Sequence, residues 1–227
     1  MSGHSVEKHL MVTAERYDEM IRIFIPHYDE MLKVGVDLVN ALAKKSPHVL
    51  DLGGGTGALT QAILRGIPAA KVDLIDIDPY MLSEAKRRLS SEKERVAFME
   101  CSFLGSLPKS DVIVASLSLH HIQNLEQKAK VYASIAESLK PGGLFLNLDA
   151  TVSFDDKVRK LTFDNWATSM GKHGVGVQEA FKHFAEWAAE DHYLPLVDEL
   201  ECLRQAGFLH PECFWRRGPI TVFGGMI

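Results

Sequence analysis

The 227-residue sequence is poor in cysteine, carries no excess of positive charge and contains no long apolar run. Its three cysteines, Cys101, Cys202 and Cys213, lie far apart and form no CxxC pair, which argues against a disulfide framework and against a zinc site. We expect them to be reduced residues of the core. Because 25 Lys and Arg face 30 Asp and Glu, no nucleic-acid partner is expected.

We expect neither a membrane span nor a secretion signal in this sequence. No stretch approaches the roughly 18 to 20 consecutive apolar residues that cross a bilayer. The first ten residues, MSGHSVEKHL, lack the apolar segment of a signal peptide. We therefore expect a cytoplasmic protein that has no membrane partner. With 46% hydrophobic residues, the chain can bury a full core as a single domain.

Short apolar runs alternate with helical patterns between residues 47 and 150. Strands are predicted in the runs HVLDL, KVDLIDID, VAFMECSF, DVIVASLSL and LFLNLDA. Helices are predicted in ALTQAILRG, PYMLSEAKRRLSS and residues 124–139, the last of which leads into a turn at KPGG. Such alternation is typical of a parallel sheet that is covered by helices on both faces. The predicted fold is therefore α/β and doubly wound.

Helical patterns also flank this region. Residues 13–43 predict two helices that meet near Pro26, and residues 152–205 predict aromatic-rich helices that would form a lid. The closing stretch, ECFWRRGPITVFGG, predicts a hairpin that turns at Gly218 and Pro219. The single domain is thus divided into N-terminal helices (1–46), a core (47–150), a lid (151–205) and a C-terminal hairpin (206–227).

The segment DLGGGTG, residues 51–57, lies where the first predicted strand hands over to a helix. In an open α/β sheet, ligands bind beyond the carboxyl ends of the strands, and this first turn is the favoured place. Asp76 ends the second strand, where an acidic residue can accept hydrogen bonds from both ribose hydroxyls. Together, the loop and the acid predict a nucleotide-type ligand, although a glycine-rich turn can also serve only to pack a helix against a strand.

The details of the loop narrow the type of nucleotide. A dinucleotide site would have a third glycine where this chain has Leu59, so a dehydrogenase is the least favoured interpretation. No GKS or GKT follows, which excludes a P-loop. Asp51, at the end of the strand, suits a cationic or ammonium-bearing ligand better than a pyrophosphate.

Taken jointly, these motifs resemble those of the class I S-adenosylmethionine-dependent methyltransferases. The matching segments are HVLDLGGGTG, LIDIDPYML, VAFMECSF, DVIVASLSLHHI and LKPGGLFLNLDA, in the family's order over about residues 47 to 150. The resemblance implies a Rossmann-like, mostly parallel sheet of seven strands whose last strand is antiparallel. It also implies S-adenosylmethionine as the cofactor and S-adenosylhomocysteine as the product.

The resemblance further implies which residues hold the cofactor. The glycine loop would accommodate the methionine part, Asp76 the ribose, and Ser116 would face the amino-acid portion. Where the family usually has Gly-Asp after the third strand, this chain has Cys101-Ser102, so the hydrogen bond to adenine would be weaker than that of a carboxylate. The implied cofactor-binding residues are Tyr28, Asp51, Gly53, Gly54, Gly55, Gly57, Asp76, Ile77, Met81, Ser102, Phe103 and Ser116.

The fourth strand gives the indications about the methyl acceptor. It ends in SLSLHHI and lacks the NPPY or DPPY signature of many enzymes that methylate amide or nucleobase nitrogens, which favours a small-molecule acceptor. His120 and His121 follow it, and a histidine there could take a proton from a hydroxyl, an amine or an acidic carbon. A buried structural histidine is the alternative for either residue. We predict no metal site, because His183 and His192 are too far apart to share a helix face.

Several alternatives stay open at this point. IPHYDEML and LRQAGF resemble segments of the carboxy-S-adenosylmethionine synthases, which handle prephenate and use an arginine of the last helix to pair with the extra carboxylate of the modified cofactor. Cys202 takes that arginine's place here, so this activity requires Arg204 or Arg216 to reach the cofactor's methyl position. A cofactor-binding module without catalysis is a third possibility. The C-terminal hairpin could pack against a second copy in a homodimer, but a covered sheet edge would give the same pattern. Candidate lid residues of the pocket, each with core packing as its alternative, are His27, Tyr28, Trp166, His183, Trp187 and His192.

Overall fold

Seven strands form one sheet in the computed structural model, which describes residue 13 and residues 16–227. The strands are β1 (His48–Leu52), β2 (Lys71–Asp76), β3 (Val96–Glu100), β4 (Ser110–Ser116), β5 (Leu139–Ala150), β6 (Glu212–Arg217) and β7 (Ile220–Met226). Their order is β3-β2-β1-β4-β5-β7-β6, and β7 runs antiparallel to both of its neighbours. This confirms the predicted doubly wound sheet of seven strands with an antiparallel last strand.

Eight α-helices accompany the sheet in the described part of the chain. They are α1 (Tyr17–Phe24), α2 (Tyr28–Leu42), α3 (Ala58–Gly66), α4 (Pro79–Arg88), α5 (Leu125–Ser138), α6 (Asp156–Gly171), α7 (Val177–Trp187) and α8 (Leu196–Gln205). The predicted break near Pro26 is confirmed, since α1 and α2 are separated there and His27 adopts a left-handed φ of 59°. None of these helices combines the length and the apolar composition that crossing a membrane requires.

Several predicted boundaries differ from the observed ones. The strands β2, β3 and β4 end at Asp76, Glu100 and Ser116, which is two, three and three residues earlier than their apolar runs suggest. The predicted turn KPGG falls within the bounds of β5, where the pairing with β4 shifts register between Ser110 and Val112. Gly142 takes a φ of 73° in this irregular part of the strand, so the glycine still makes the chain bend.

The core lies on both faces of the sheet, as expected for buried parallel strands. Successive residues of β1 point to opposite sides: Val49 packs in the cluster that contains residues of α2, α3 and α6. Leu50 packs in a second cluster, with residues of α5 and α8. Of the cysteines, all free thiols, Cys202 is buried there, whereas Cys101 is exposed, so the expectation of core cysteines is wrong for Cys101.

Candidate functional site

The glycine loop between β1 and α3 needs glycine for two physical reasons. Gly53, Gly55 and Gly57 all have positive φ values, of 64°, 55° and 79°. Gly54 has no such φ, but a Cβ on it would lie 2.5 Å from Cγ of Leu74 in β2, closer than real contacts allow. The loop therefore packs tightly against β2 and leaves its outer backbone open to a ligand.

Asp76 holds this loop in place from the end of β2. Its Oδ2 accepts a hydrogen bond from the backbone N–H of Gly55 at 2.8 Å, and its Oδ1 accepts one from the N–H of Asp78 at 2.8 Å. Asp78 in turn caps α4 by accepting hydrogen bonds from the N–H groups of Tyr80 and Met81. Because a carboxylate oxygen accepts more than one hydrogen bond, Asp76 can organise the loop and bind a ligand together.

A cavity of about 570 Å³ opens at the carboxyl ends of β1, β2 and β4. Its size is that of a site for a nucleoside or a drug-sized molecule, and its position is the one favoured in α/β sheets. The structure brings most of the predicted site residues together here. Those lining the cavity are Tyr28, Gly53, Gly54, Gly55, Asp76, Ile77, Met81, Ser102, Phe103, Ser116, His120 and His121.

Two predicted residues, Asp51 and Gly57, do not line the cavity. Asp51 is fully buried behind the loop, where its Oδ2 accepts a hydrogen bond from the hydroxyl of Thr60 at 2.6 Å. Burial raises the pKa of its carboxyl group to about 6, although the bond from Thr60 works in the other direction. Gly57 is the left-handed N-cap of α3. Both residues thus support the loop from behind.

The predicted histidines stand on one wall of the cavity, after β4. His120 and His121 belong to a 3₁₀ turn, Leu119–His121, that follows Leu117 with its positive φ of 50°. Nδ1 of His120 lies 2.5 Å from Oδ1 of Asp149 in β5. The other carboxylate oxygen of Asp149 accepts the backbone N–H of His120 at 3.1 Å. The ring of His120 is therefore fixed in one orientation.

Asp191, in the segment between α7 and α8, lies beside both histidine rings. Its Oδ1 lies 3.6 Å from Nε2 of His120 and 3.3 Å from Nδ1 of His121. Its Oδ2 accepts a hydrogen bond from the hydroxyl of Tyr193. Burial and then the charge of Asp191 raise the pKa of Tyr193 well above its usual range, so this phenol stays protonated.

Buried charges of opposite sign determine the protonation of His120. Burial alone would lower the pKa of its imidazole, but the negative charges of Asp149 and Asp191 outweigh that effect and raise it. For Asp149, burial opposes ionisation, yet the neighbouring His120 brings the pKa of the carboxyl group below its usual value. The pair can therefore hold a proton between a buried imidazole and a buried carboxylate.

Aromatic side chains from the N-terminal helices and the predicted lid also line the cavity. Trp166 and Trp187 are buried and also line the cavity, so core packing and pocket lining hold together for both. The indole N–H of Trp166 donates to the backbone oxygen of Phe24 at 2.6 Å, which leaves mainly apolar surface in this part of the lining. Of the other lid candidates, Tyr28 and His192 line the cavity, whereas His27 and His183 do not.

No lysine or arginine lines the cavity in the described part of the chain, whereas the acids Asp76, Glu190 and Asp191 do. Arg204 is exposed on α8 and forms a bidentate pair with Glu201. Arg216 donates from its Nε to the backbone oxygen of Gly218, at the hairpin turn. Neither arginine meets the condition set by the sequence for the carboxylated cofactor.

Sequence reasoning missed the two aspartates that surround the histidines. Asp149 had a usable signal, because the acid in LNLDA ends a strand at the same edge of the sheet as Asp76. Asp191 had none, since it lies in a connection 70 residues away from His121 and is brought there by the tertiary fold.

Comparison with known proteins gives one matching family model, described as a methyltransferase domain, over residues 50–145. A carboxy-S-adenosyl-L-methionine synthase of Nautilia profundicola is 26% identical over 215 residues, which cover 92% of this chain and 90% of that protein. An uncharacterised methyltransferase of Bacillus subtilis is 29% identical over 195 residues, covering 83% of this chain and 82% of the relative.

Among solved structures, human N-acetylserotonin methyltransferase in complex with S-adenosylmethionine has a TM-score of 0.61 and 22% identity. The match covers 97% of this chain but only 60% of the human one, so the chain spans about three fifths of that structure. At this level of identity the likeness concerns the fold alone.

Proposed function

We propose that this chain, which belongs to the class I S-adenosylmethionine-dependent methyltransferase family, transfers the methyl group of S-adenosylmethionine to a small molecule. The proposal rests on one observation: the glycine loop, Asp76 and the histidine wall, formed by His120 and His121, surround one cavity. In this proposal the loop holds the methionine part, Asp76 the ribose, and Ile77, Met81, Ser102 and Phe103 surround the adenine.

Methyl transfer needs alignment more than acid–base chemistry. The acceptor atom attacks the methyl carbon opposite the sulfur, the carbon–sulfur bond breaks, and its electron pair stays on S-adenosylhomocysteine. Placing the two molecules in one cavity and excluding water supply much of the rate enhancement. The aromatic wall of Trp166 and Trp187 supports this role, because it is apolar and faces the cavity.

In this proposal, one of the two histidines after β4 accepts the acceptor's proton. His120 is the better of the two predicted bases, since Asp149 fixes its Nδ1 and stabilises the imidazolium that would form. Among the described residues, three acids line the cavity and no lysine or arginine does. This charge favours an acceptor that is neutral or positively charged and has an apolar body. A hydroxyl or amine on an aromatic or aliphatic ring fits this description.

Synthesis of a carboxylated cofactor is the second candidate, because relatives that carry this name match over nearly the whole chain. The lining of the cavity argues against this activity. No lysine or arginine among the described residues lines the cavity, and the added carboxylate of the cofactor would lie near three acids. A cytoplasmic location, a homodimer, the fourfold division of the domain and the absence of a nucleic-acid partner stay predictions.

Mass spectrometry of the small molecules released on denaturing the purified protein tests the proposal. We expect S-adenosylmethionine or S-adenosylhomocysteine, and production of the latter when neutral hydroxyl- or amine-bearing rings are supplied with the cofactor. Release of the carboxylated cofactor would establish the second candidate instead. Failure to bind S-adenosylmethionine at millimolar concentration would contradict both and leave a binding module without this cofactor.

A further inference from the structure

We propose that His120, His121 and Asp191 form a binding site for one divalent transition-metal ion on the wall of the cavity. Each residue offers one ligand atom, and the three atoms lie within 4.8 Å of one another. Two imidazole nitrogens and one carboxylate oxygen are a ligand set that binds zinc and related ions in many proteins.

Two of the three separations between the ligand atoms are close to those of a coordination sphere, and the third, between the two histidines, is within 4.8 Å, so the histidine rings would move together slightly when an ion binds. Ligands at about 2.0–2.1 Å from a tetrahedral zinc ion stand about 3.3–3.4 Å apart. Oδ1 of Asp191 lies 3.3 Å from Nδ1 of His121 and 3.6 Å from Nε2 of His120. The second distance is too long for a hydrogen bond, yet only a few tenths of an ångström from the coordination value.

Asp149 supplies the outer support that metal-binding histidines usually have. A ligating histidine commonly donates its other ring N–H to a carboxylate, which fixes the tautomer and makes the free nitrogen a better ligand. Here Nδ1 of His120 lies 2.5 Å from Oδ1 of Asp149. Asp149 is itself held by the backbone N–H groups of His120 and Ala150. Nε2 of His120 is thereby presented toward Asp191.

Charge also favours a cation at this position. Asp149 and Asp191 are both nearly inaccessible to water, and burying two carboxylates together is costly unless positive charge compensates them. The ring of His120 meets part of this charge when it is protonated, and a divalent ion bound in place of that proton would balance both carboxylates. A fourth coordination position would be open to the cavity, because all three ligand residues line it.

With an ion bound, Nε2 of His120 would be a ligand and could not also be the base of the proposed function. The ion would then bind the acceptor's oxygen and lower the pKa of its hydroxyl, so that the proton could leave without that base. Hard ions that prefer all-oxygen sites, Mg²⁺ and Ca²⁺, fit poorly, since two of the three ligands are nitrogens. Metal binding does not depend on the proposed methyl transfer, and it can be measured without cofactor or acceptor.

Titration of Co²⁺ into chelator-treated full-length protein is the test, with the visible absorbance of the ion as the readout. We expect one ion per chain, a spectrum of four- or five-coordinate Co²⁺, displacement by Zn²⁺ and no displacement by Mg²⁺. The variants His121→Gln and Asp191→Asn should each lose this spectrum, and Asp149→Asn should weaken binding about 10- to 100-fold.

His192→Gln is the matched control, because this histidine lines the same cavity but does not belong to the group. It should bind Co²⁺ like the parent, and thermal unfolding without metal should show that all four variants fold. Absence of binding in the parent at millimolar Co²⁺ would overturn the proposal. So would unchanged binding in both His121→Gln and Asp191→Asn, since the ion would then lie elsewhere.

Discussion

Replacement of Asp76 by asparagine should separate the two roles that the structure gives to this side chain. Oδ1 and Oδ2 each accept a backbone N–H, from Asp78 and from Gly55, both at 2.8 Å. Whichever oxygen becomes the amide nitrogen therefore faces another donor. Asp76→Asn thus keeps the shape of the side chain but loses one loop hydrogen bond and one acceptor for the ribose.

The expected loss of affinity follows from the number of hydrogen bonds. A hydrogen bond to a charged group contributes about 1.5–3 kcal/mol. Loss of one ribose bond should thus weaken the binding of S-adenosylhomocysteine roughly 10- to 100-fold. Asp76→Ala removes both ribose bonds, and we expect a loss of about 10²- to 10⁴-fold, together with a less ordered loop.

Isothermal titration with S-adenosylhomocysteine measures these losses without turnover. The control is Asp73→Asn on the same strand, whose carboxylate pairs with His48 at 3.0 Å and does not line the cavity. It should bind like the parent protein. If Asp76→Asn retained affinity within threefold of the control, the ribose assignment and the reasoning from these two hydrogen bonds would be refuted.

Three further predictions concern stability and are read by denaturant unfolding. Lys128→Met should lower the free energy of unfolding by about 3–5 kcal/mol, since it leaves the buried carboxylate of Glu199 without the cation that lies 2.6 Å away. The control, Lys130→Met at an exposed position, should change it by less than about 0.5 kcal/mol. Asp51→Asn should remove a pH dependence of the free energy of unfolding. Because the pKa of Asp51 is raised to about 6, the folded parent holds a proton that the unfolded chain has released, and its free energy of unfolding falls by about 3 kcal/mol as the pH rises from about 4 to above 6. Parallel pH curves for the parent and the variant would contradict this. Gly54→Ala should cost about 1–3 kcal/mol by overpacking β2, and an unchanged unfolding midpoint would mean that the loop yields easily.

Much of the sheet could be predicted because its strands are buried on both faces. A run such as VIVA, residues 112–115 in β4, is apolar and buried throughout because helices cover both sides of the sheet, and the glycines that follow β1 mark the carboxyl edge. The hydropathy pattern predicted the wrong strand ends where side-chain hydrogen bonds determine them. The strand β2 stops at Asp76 because its carboxylate accepts the N–H of Asp78, which then caps α4, and hydropathy carries no trace of such bonds.

The cofactor half of the site could be predicted for a related reason, whereas the acceptor half could not. The loop and Asp76 follow two strands that are adjacent in the sheet, so their meeting is fixed by topology. Asp149 and Asp191 reach His120 from a later strand and from a connection between helices. Their distance in sequence leaves no periodic signal, and the metal site proposed above depends on that meeting.

The strand order explains why the two halves face each other. The chain runs outward from β1 to β2 and β3 and then returns to place β4 on the other side of β1, so the reversal lies between β1 and β4. Most of the predicted cofactor residues follow β1, β2 and β3 on one side of this point, with Ser116 at the end of β4 and Tyr28 in α2 as exceptions. On the other side, His120 follows β4 and Asp149 lies in β5. A sulfonium methyl group held over the glycine loop would therefore lie between the loop and the histidine wall. Residues after β4 should thus change turnover while sparing cofactor affinity, and residues after β2 should do the reverse.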